Sequence, residues 1–292
     1  MNTLEETKFL LKKYDLVAKK SLGQNFLISD EIIEKIIENS EICKSDLVIE
    51  IGPGLGTLTS KLVEKAGKVI VIELDNDMVN IITDRFKLYD NIEIIHNDVL
   101  KVNLEELINA AKENDKSIKA VKVVANLPYY ISTPIILKLL ENNSIIDSII
   151  VMVQKEVADR LIAVPGTKNS GAITYNISYS AYSKKLLDVP NTSFIPQPKV
   201  DSSVIRLELK NDEEIKKDAD VKSKELLFKL IKLNFMHRRK LLSKILADNN
   251  IFKSKEDAEK CFEELNIRKD IRGEALSLKE FVEISNYISN SI

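Results

Sequence analysis

The sequence contains no tryptophan, two cysteines, two histidines and only 6% aromatic residues. Cys43 and Cys261 stand far apart, so neither a disulfide framework nor a cysteine metal site is expected. His96 and His237 are too few for chemistry built on several imidazoles, and no metal is expected. Long apolar runs are missing too. "SIIVMV" (148–153) is far too short to span a bilayer, so no membrane partner is expected. The amphipathic start "MNTLEETKFLLKKY" carries Glu5 and Glu6, which argues against a secretory or transit signal, and the chain reads as cytoplasmic. Neither sign of charge dominates: 43 basic against 45 acidic residues leave a formal charge of −2. That balance does not exclude a nucleic-acid partner, because local basic patches decide such binding.

What is present is a core. With 292 residues and 44% hydrophobic content the chain can bury one large domain, or one domain and a small companion. From residue 30 to about 155, apolar runs alternate with helical patterns. The runs are "DLVIEI" (46–51), "KVIVIE" (68–73), "IEIIH" (92–96), "VKVVA" (121–125) and "SIIVMV". Between them, residues such as Ile32, Ile33, Ile36 and Ile37 recur at helical spacing. Continuously apolar strands separated by helices predict a doubly wound α/β domain with a mostly parallel sheet. Residues 171–182 fit either an alternating strand or a helix. "SSVIRLEL" (202–209) reads as a last edge strand, and the charged stretch 210–224 as a separator before an all-helical tail. Within that tail "SLKE" (277–280) is a capping box opening the final helix. The expected domains are therefore 1–210 and 211–292.

"VIEIGPGLGTLT" (48–59) is a strand, a glycine turn and a helix start. Gly52, Gly54 and Gly56 let backbone approach a ligand closely and bring helix N–H groups beside it. A dinucleotide fingerprint needs a small third residue at 57, where this chain has Thr57, so the spacing is G-x-G-x-G, preceded by the acid Glu50. Glu73 ends the next strand, where a carboxylate can accept both ribose hydroxyls, and Asp98 follows the third, where it can accept an adenine amine. No P-loop lysine is present, so the predicted ligand is an adenosine derivative without a triphosphate. The pattern resembles the class I S-adenosylmethionine methyltransferases, with their Rossmann-like fold.

The strand "VVAN" delivers "NLPYY" (126–130) to the same crevice. An adenine amine is a poor nucleophile, because its lone pair is delocalised into the ring. The Asn126 side-chain oxygen and the Leu127 carbonyl can each accept one of its N–H bonds, favouring a pyramidal, positively charged nitrogen. Pro128 keeps the turn rigid and offers no competing N–H. Tyr129 supplies a face for the base. No general base is needed first, since the proton becomes acidic once the nitrogen is alkylated.

Seven segments match, in order, the ribosomal RNA adenine dimethyltransferase family: "KKSLGQNFLISDEI", "EIGPGLGTLT", "VIELDNDM", "NDVL", "ANLPYYISTPI", "FIPQPKVDSSVIRLE" and "NFMHRRKLLSKIL". The chain is most similar to the small-subunit (kasugamycin-sensitivity) branch, which makes N6,N6-dimethyladenosine in 16S rRNA. The resemblance implies that Asn25, Leu27, Gly52, Glu73, Asp98 and Asn126 contact S-adenosylmethionine, leaving S-adenosylhomocysteine as product. It also implies that Phe194 helps Tyr129 sandwich the base, and that 171–182 is a helix. The small ribosomal subunit is the implied partner, and a monomer the expected state. Two other readings remain: a 23S rRNA adenine methyltransferase of the macrolide-resistance type, and a non-catalytic RNA-binding assembly factor. Leu127, "FIPQPKVDSS" and "IRKDIRGEALSLKEF" favour the small-subunit branch. Intact glycines and Asn126 oppose the non-catalytic one.

Wound as one helix, residues 224–246 gather Leu227, Leu230, Ile231, Leu241, Leu242 and Ile245 on one face. Lys229, Lys232, Arg239, Lys240 and Lys244 gather on the other. With Lys19, Lys20, Lys184 and Lys185 they form the expected RNA footprint. Arg238 falls within the apolar face and is expected to pair with a carboxylate or carbonyls, because an unpaired buried guanidinium is costly.

Overall fold

The computed structural model describes residues 1–19 and 22–291, with Ser291 described by its backbone only. Lys20 therefore lies outside the described residues. In chain order the elements begin with α1 (Thr3–Lys13), β1 (Phe26–Leu27), α2 (Asp30–Asn39), β2 (Asp46–Ile51), α3 (Thr57–Lys65), β3 (Lys68–Glu73) and α4 (Asn76–Phe86). There follow β4 (Ile92–His96), α5 (Leu104–Asn114), β5 (Ala120–Asn126), α6 (Ser132–Leu140), β6 (Ser148–Gln154), α7 (Lys155–Leu161) and α8 (Ala172–Ser180). The rest are β7 (Ala181–Val189), β8 (Phe194–Ile195), β9 (Ser202–Leu209), α9 (Asp212–Asp218), α10 (Lys224–Met236), α11 (Leu242–Asp248), α12 (Lys255–Glu264) and α13 (Leu278–Ser291).

The apolar runs became strands within a residue of where they were expected. β2 pairs in parallel with β3 on one side and β5 on the other, and β3–β4 and β5–β6 extend the sheet outward. The order is β4-β3-β2-β5-β6-β9-β7, with β9 antiparallel to β6. All residues of β2 are buried, as strands covered on both faces require. The isoleucines of α2 are buried with Val48, Val69 and Val124 in one core cluster. β9 is not the edge: β7 lies outside it. β7 carries exposed Tyr182, Ser183, Lys184 and Lys185, the charged surface that protects a sheet edge from further pairing.

The chain divides into one unit of Met1–Ala158 with Lys184–Leu209, and another of Asp159–Ser183 with Lys210–Ile292. This corrects the expected division into 1–210 and 211–292. Residues 159–183 join the helical unit because α8 is a helix whose Tyr175 and Tyr179 are buried among Leu227, Leu230, Phe262 and Phe281. Tyr175 meets Phe281 edge-on at 5.3 Å, and its hydroxyl donates to the Leu276 carbonyl at 2.6 Å. Residues 210–224 are no mere separator. Asn211 and Glu214 form a capping box for α9, and Ile215 is buried. The Ser277–Glu280 box does open α13, with each backbone N–H held by the other side chain.

The stripe 224–246 is broken, not continuous. α10 ends at Met236, and the N–H of Leu242 donates to the Ile271 carbonyl at 3.0 Å. Leu227, Leu230, Ile231, Leu242 and Ile245 are buried, but Leu241 is exposed in the turn. Arg238 also sits in this turn and pairs with Glu274 at 3.0 Å, half-exposed rather than within the apolar face.

Gly56 closes the glycine turn at φ +83°, where an added Cβ would meet Phe86 at 2.7 Å and Ile82 at 2.8 Å, both on α4. Gly56→Ala should therefore destabilise the fold by roughly 1–3 kcal/mol through overpacking and left-handed strain. Urea unfolding measures this. An unchanged midpoint would mean that α3 and α4 separate freely.

Candidate active site

The carboxyl ends of β2, β3, β4 and β5, together with residues 22–27, line one cavity in the sheet unit. Asn25, Leu27, Gly52, Gly54, Glu73, Asp98 and Asn126 all line it, as do Leu127, Pro128 and Tyr129. Gly56 and Phe194 do not. Gly56 faces α4 instead, as its contacts with Phe86 and Ile82 require. Phe194 is 2% exposed and belongs to the core cluster around Leu27, its partner across the β1–β8 pair. Its ring therefore presents no open face to the cavity in this structure.

The glycine turn is held by what surrounds it. Leu55 at its apex is buried with Leu10, Phe26, Met78 and Ile81. Arg85 of α4 donates to the Leu55 carbonyl and pairs with Glu6. The Phe26 ring lies where a side chain on Gly54 would stand, 3.2 Å from the Cβ position, so glycine allows this close approach. α3 then starts without a side-chain cap, leaving its first N–H groups for the turn or a ligand.

Three acids meet the cavity in different states. Glu50 is buried, accepts a hydrogen bond from the Thr59 hydroxyl at 2.6 Å, and is pushed by burial up to about 8. Glu73 is also buried and raised by burial, against the pull of the Asp75 and Leu74 N–H groups, which both donate to its Oε1 at 2.7 Å. Asp98 is half-buried in the turn after β4 and accepts the Leu100 N–H at 2.9 Å.

The turn after β5 is fixed at both ends. The Asn126 amide nitrogen donates to the Asn25 carbonyl at 3.2 Å, so the acceptor that the side chain offers the cavity is its oxygen. The Leu127 N–H donates to the Met152 carbonyl at 3.1 Å. Tyr129 shares a 2.6 Å hydrogen bond with the Ser202 hydroxyl, and burial raises its phenol. Neither the Asn25–Asn126 nor the Tyr129–Ser202 contact was legible in the sequence, because the partners lie 101 and 73 residues apart.

Of the basic residues, Lys19 does not face outward as a free charge: it pairs with Asp75 at 2.6 Å and Asp77 at 2.7 Å. Lys185 pairs with Asp188 at 3.2 Å. Lys184, Lys229, Lys232, Arg239, Lys240 and Lys244 are exposed. Among the described residues no cluster of histidine, cysteine and carboxylate side chains could hold a metal, and no helix is long and apolar enough to cross a membrane.

Residues 16–290 match the ribosomal RNA adenine dimethylase family. A ribosomal RNA small subunit methyltransferase A from Alkaliphilus metalliredigens is 43% identical over 284 residues, 97% of this chain and 96% of that protein. The crystal structure of a dimethyladenosine transferase from Plasmodium falciparum superposes with a TM-score of 0.74 at 28% identity, covering 91% of this chain and 98% of the other. The 23S rRNA methyltransferase ErmE, at 19% identity and a TM-score of 0.63 over 91% of this chain and all of its own (100%), shares the fold. With the cavity, the G-x-G-x-G turn and the N-L-P-Y turn in one unit, these matches have one meaning: the chain belongs to the ribosomal RNA adenine dimethylase family, enzymes that methylate adenine in ribosomal RNA.

Proposed function

We propose that this chain transfers methyl groups from S-adenosylmethionine to N6 of adenosines near the 3′ end of 16S rRNA in the small ribosomal subunit, giving N6,N6-dimethyladenosine. The observation that carries the reading is the Asn126 amide, whose nitrogen is committed to Asn25 while its oxygen remains for a donor in the cavity. Here the residues fit the methyl donor. Glu73 would hold the ribose hydroxyls and Asp98 the adenine amine. Gly52 and Gly54 would admit the chain of the donor, with Asn25 and Leu27 closing over it. The uncapped start of α3 would meet its carboxylate. Bound there, S-adenosylmethionine supplies an electrophilic methyl group on a sulfonium.

The protein's part is to prepare the adenine amine. The Asn126 oxygen and the Leu127 carbonyl accept its two N–H bonds, which favours the pyramidal nitrogen and disperses the charge that develops on it. Tyr129, steadied by Ser202, offers a face for the base, and stacking of this kind contributes about 1–3 kcal/mol. Phe194 would complete the sandwich only with its ring turned out of the core. The first transfer breaks the sulfonium–methyl bond, so the donor leaves as S-adenosylhomocysteine; the cationic nitrogen releases a proton to solvent and one N–H remains. The stacked ring can then be held by its face alone while the amine rotates to present its lone pair again. The exposed Lys229, Lys232, Arg239, Lys240 and Lys244 would hold RNA phosphates, as would Lys184.

Asn126→Ala should leave the fold intact and raise the barrier by about 2.7–4 kcal/mol, the cost of losing one transition-state acceptor. Single-turnover transfer to undermethylated small subunits checks this. In wild type the same time course should show monomethyladenosine rise and fall as dimethyladenosine accumulates. A folded variant with near wild-type rate would remove the role assigned to the amide.

The raised Glu50 carboxyl makes stability depend on pH. Between about 4.3, where a free glutamate ionises, and about 8, the folded chain keeps a proton here that the unfolded chain has released. Stability therefore falls as pH rises through that window and levels off above it. Glu50→Gln should remove this slope and raise urea stability at alkaline pH. A pH–stability profile identical to wild type would show that the folded chain ionises Glu50 normally.

Replacing Arg239 and Lys240 by glutamate should weaken subunit binding and flatten its salt dependence by about one in log–log slope for each lost phosphate contact. Affinity for S-adenosylhomocysteine should not change. A slope equal to wild type would leave these residues as a solvated surface.

A further inference from the structure

Asp75 is 5% exposed and sits beside the cavity without lining it. Its carboxylate accepts hydrogen bonds from Lys19 Nζ at 2.6 Å, Gln24 Nε2 at 2.8 Å and the Asp77 N–H at 3.1 Å. Its own N–H donates to Glu73 at 2.7 Å. Lys19 also reaches Asp77, and its backbone N–H donates to the Gln24 side-chain oxygen at 2.8 Å, closing a ring. Burial pushes the Asp75 carboxyl up, but these donors outweigh it and hold the group below its usual range. Capping α4 needs only the Asp77 N–H. The bonds to Lys19 and Gln24 go beyond that need.

Gln24 precedes Asn25, whose carbonyl receives the Asn126 amide. Gly23, on its other side, lies under the Tyr130 ring, 3.3 Å from an added Cβ to Tyr130 Cδ1. Asp75 thus reaches Glu73 through its backbone N–H, and Asn126 through its carboxylate, Gln24 and Asn25. We propose that Asp75, Lys19 and Gln24 form a positioning network that keeps residues 22–27 in register with both Glu73 and Asn126. This rests on the reading of the cavity given above. The physical reason lies in the Asn126 side chain. An amide can turn over, and in the wrong orientation it presents donors where acceptors are required. The 3.2 Å bond to Asn25 selects the productive orientation, and a shift of about an ångström in Asn25 would release it. The network makes Lys19 a structural cation of the donor site rather than an RNA contact.

The test uses the full chain with Asp75→Asn, Gln24→Ala, the double variant, Lys19→Met and Lys19→Arg. Asparagine caps helices as well as aspartate does, so Asp75→Asn should fold, and urea unfolding verifies each variant. Calorimetry with S-adenosylhomocysteine, without RNA, should show affinity falling about tenfold for Asp75→Asn and for Gln24→Ala. Single-turnover transfer at saturating donor should slow about tenfold as well, because the amide loses its orientation. The double variant should be no worse than the poorer single one, since both act through one contact. Lys19→Arg should recover most of what Lys19→Met loses. The proposal is overturned by additive effects, by rates within about twofold of wild type in the folded variants, or by weaker donor binding with an unchanged single-turnover rate. A Lys19→Met defect confined to RNA affinity overturns it too, and makes Lys19 an RNA contact. Failure of wild type to bind S-adenosylhomocysteine would instead remove the reading of the cavity itself.

Discussion

Everything at the site depends on β2 being hydrogen-bonded to β3 on one side and β5 on the other. The chain winds outward from β2 to β3 and β4, then crosses back to lay down β5 and β6. At that reversal the connections leave in opposite directions, and a crevice opens beyond the carboxyl ends of the strands. Parallel pairing sets the depths of its walls. Ile51 stands opposite Ile72, and Asn126 opposite Met152, so the glycine turn, Glu73 and Asn126 emerge at one edge of the sheet.

The crevice carries the cost of burying two acids. Glu50 and Glu73 are both buried and both raised by that burial, and Glu73 adds to the rise at Glu50. Apolar anchoring elsewhere offsets that cost: Leu55 holds the turn by burial, and Arg85 grips its carbonyl. Residues 22–27 close this arrangement from outside the sheet, and their position rests on side chains rather than on a strand ladder, apart from the two residues of β1.

The helical unit solves a different problem. A single helix from 224 to 246 would place Leu241 among the buried leucines and string its basic residues along one continuous line. Breaking after Met236 lets Leu242 and Leu246 turn into the core with Phe262, Ile271 and Leu276. It leaves Arg239, Lys240 and Leu241 exposed in a turn, so the cations project from an irregular segment as well as from helix faces.

The sequence by itself determined the strands, their parallel class, the glycine turn and the acids at strand ends, because each is encoded locally. Buried runs such as "DLVIEI" have one outcome when both faces are covered, and a glycine at φ +83° cannot be disguised by neighbours. Cap chemistry at Ser277 and Glu280 was equally local. Tertiary structure alone decided the rest. The edge position passed from β9 to β7, and 159–183 joined the helical unit, because the ambiguous α8 found its apolar partners in distant helices. Phe194 went into the core and Gly56 against α4. Lys19 found two carboxylates 56 and 58 residues away. A basic residue in a sequence shows its charge but not its partner, and the partner is set by which chain segments the fold brings within about 3 Å.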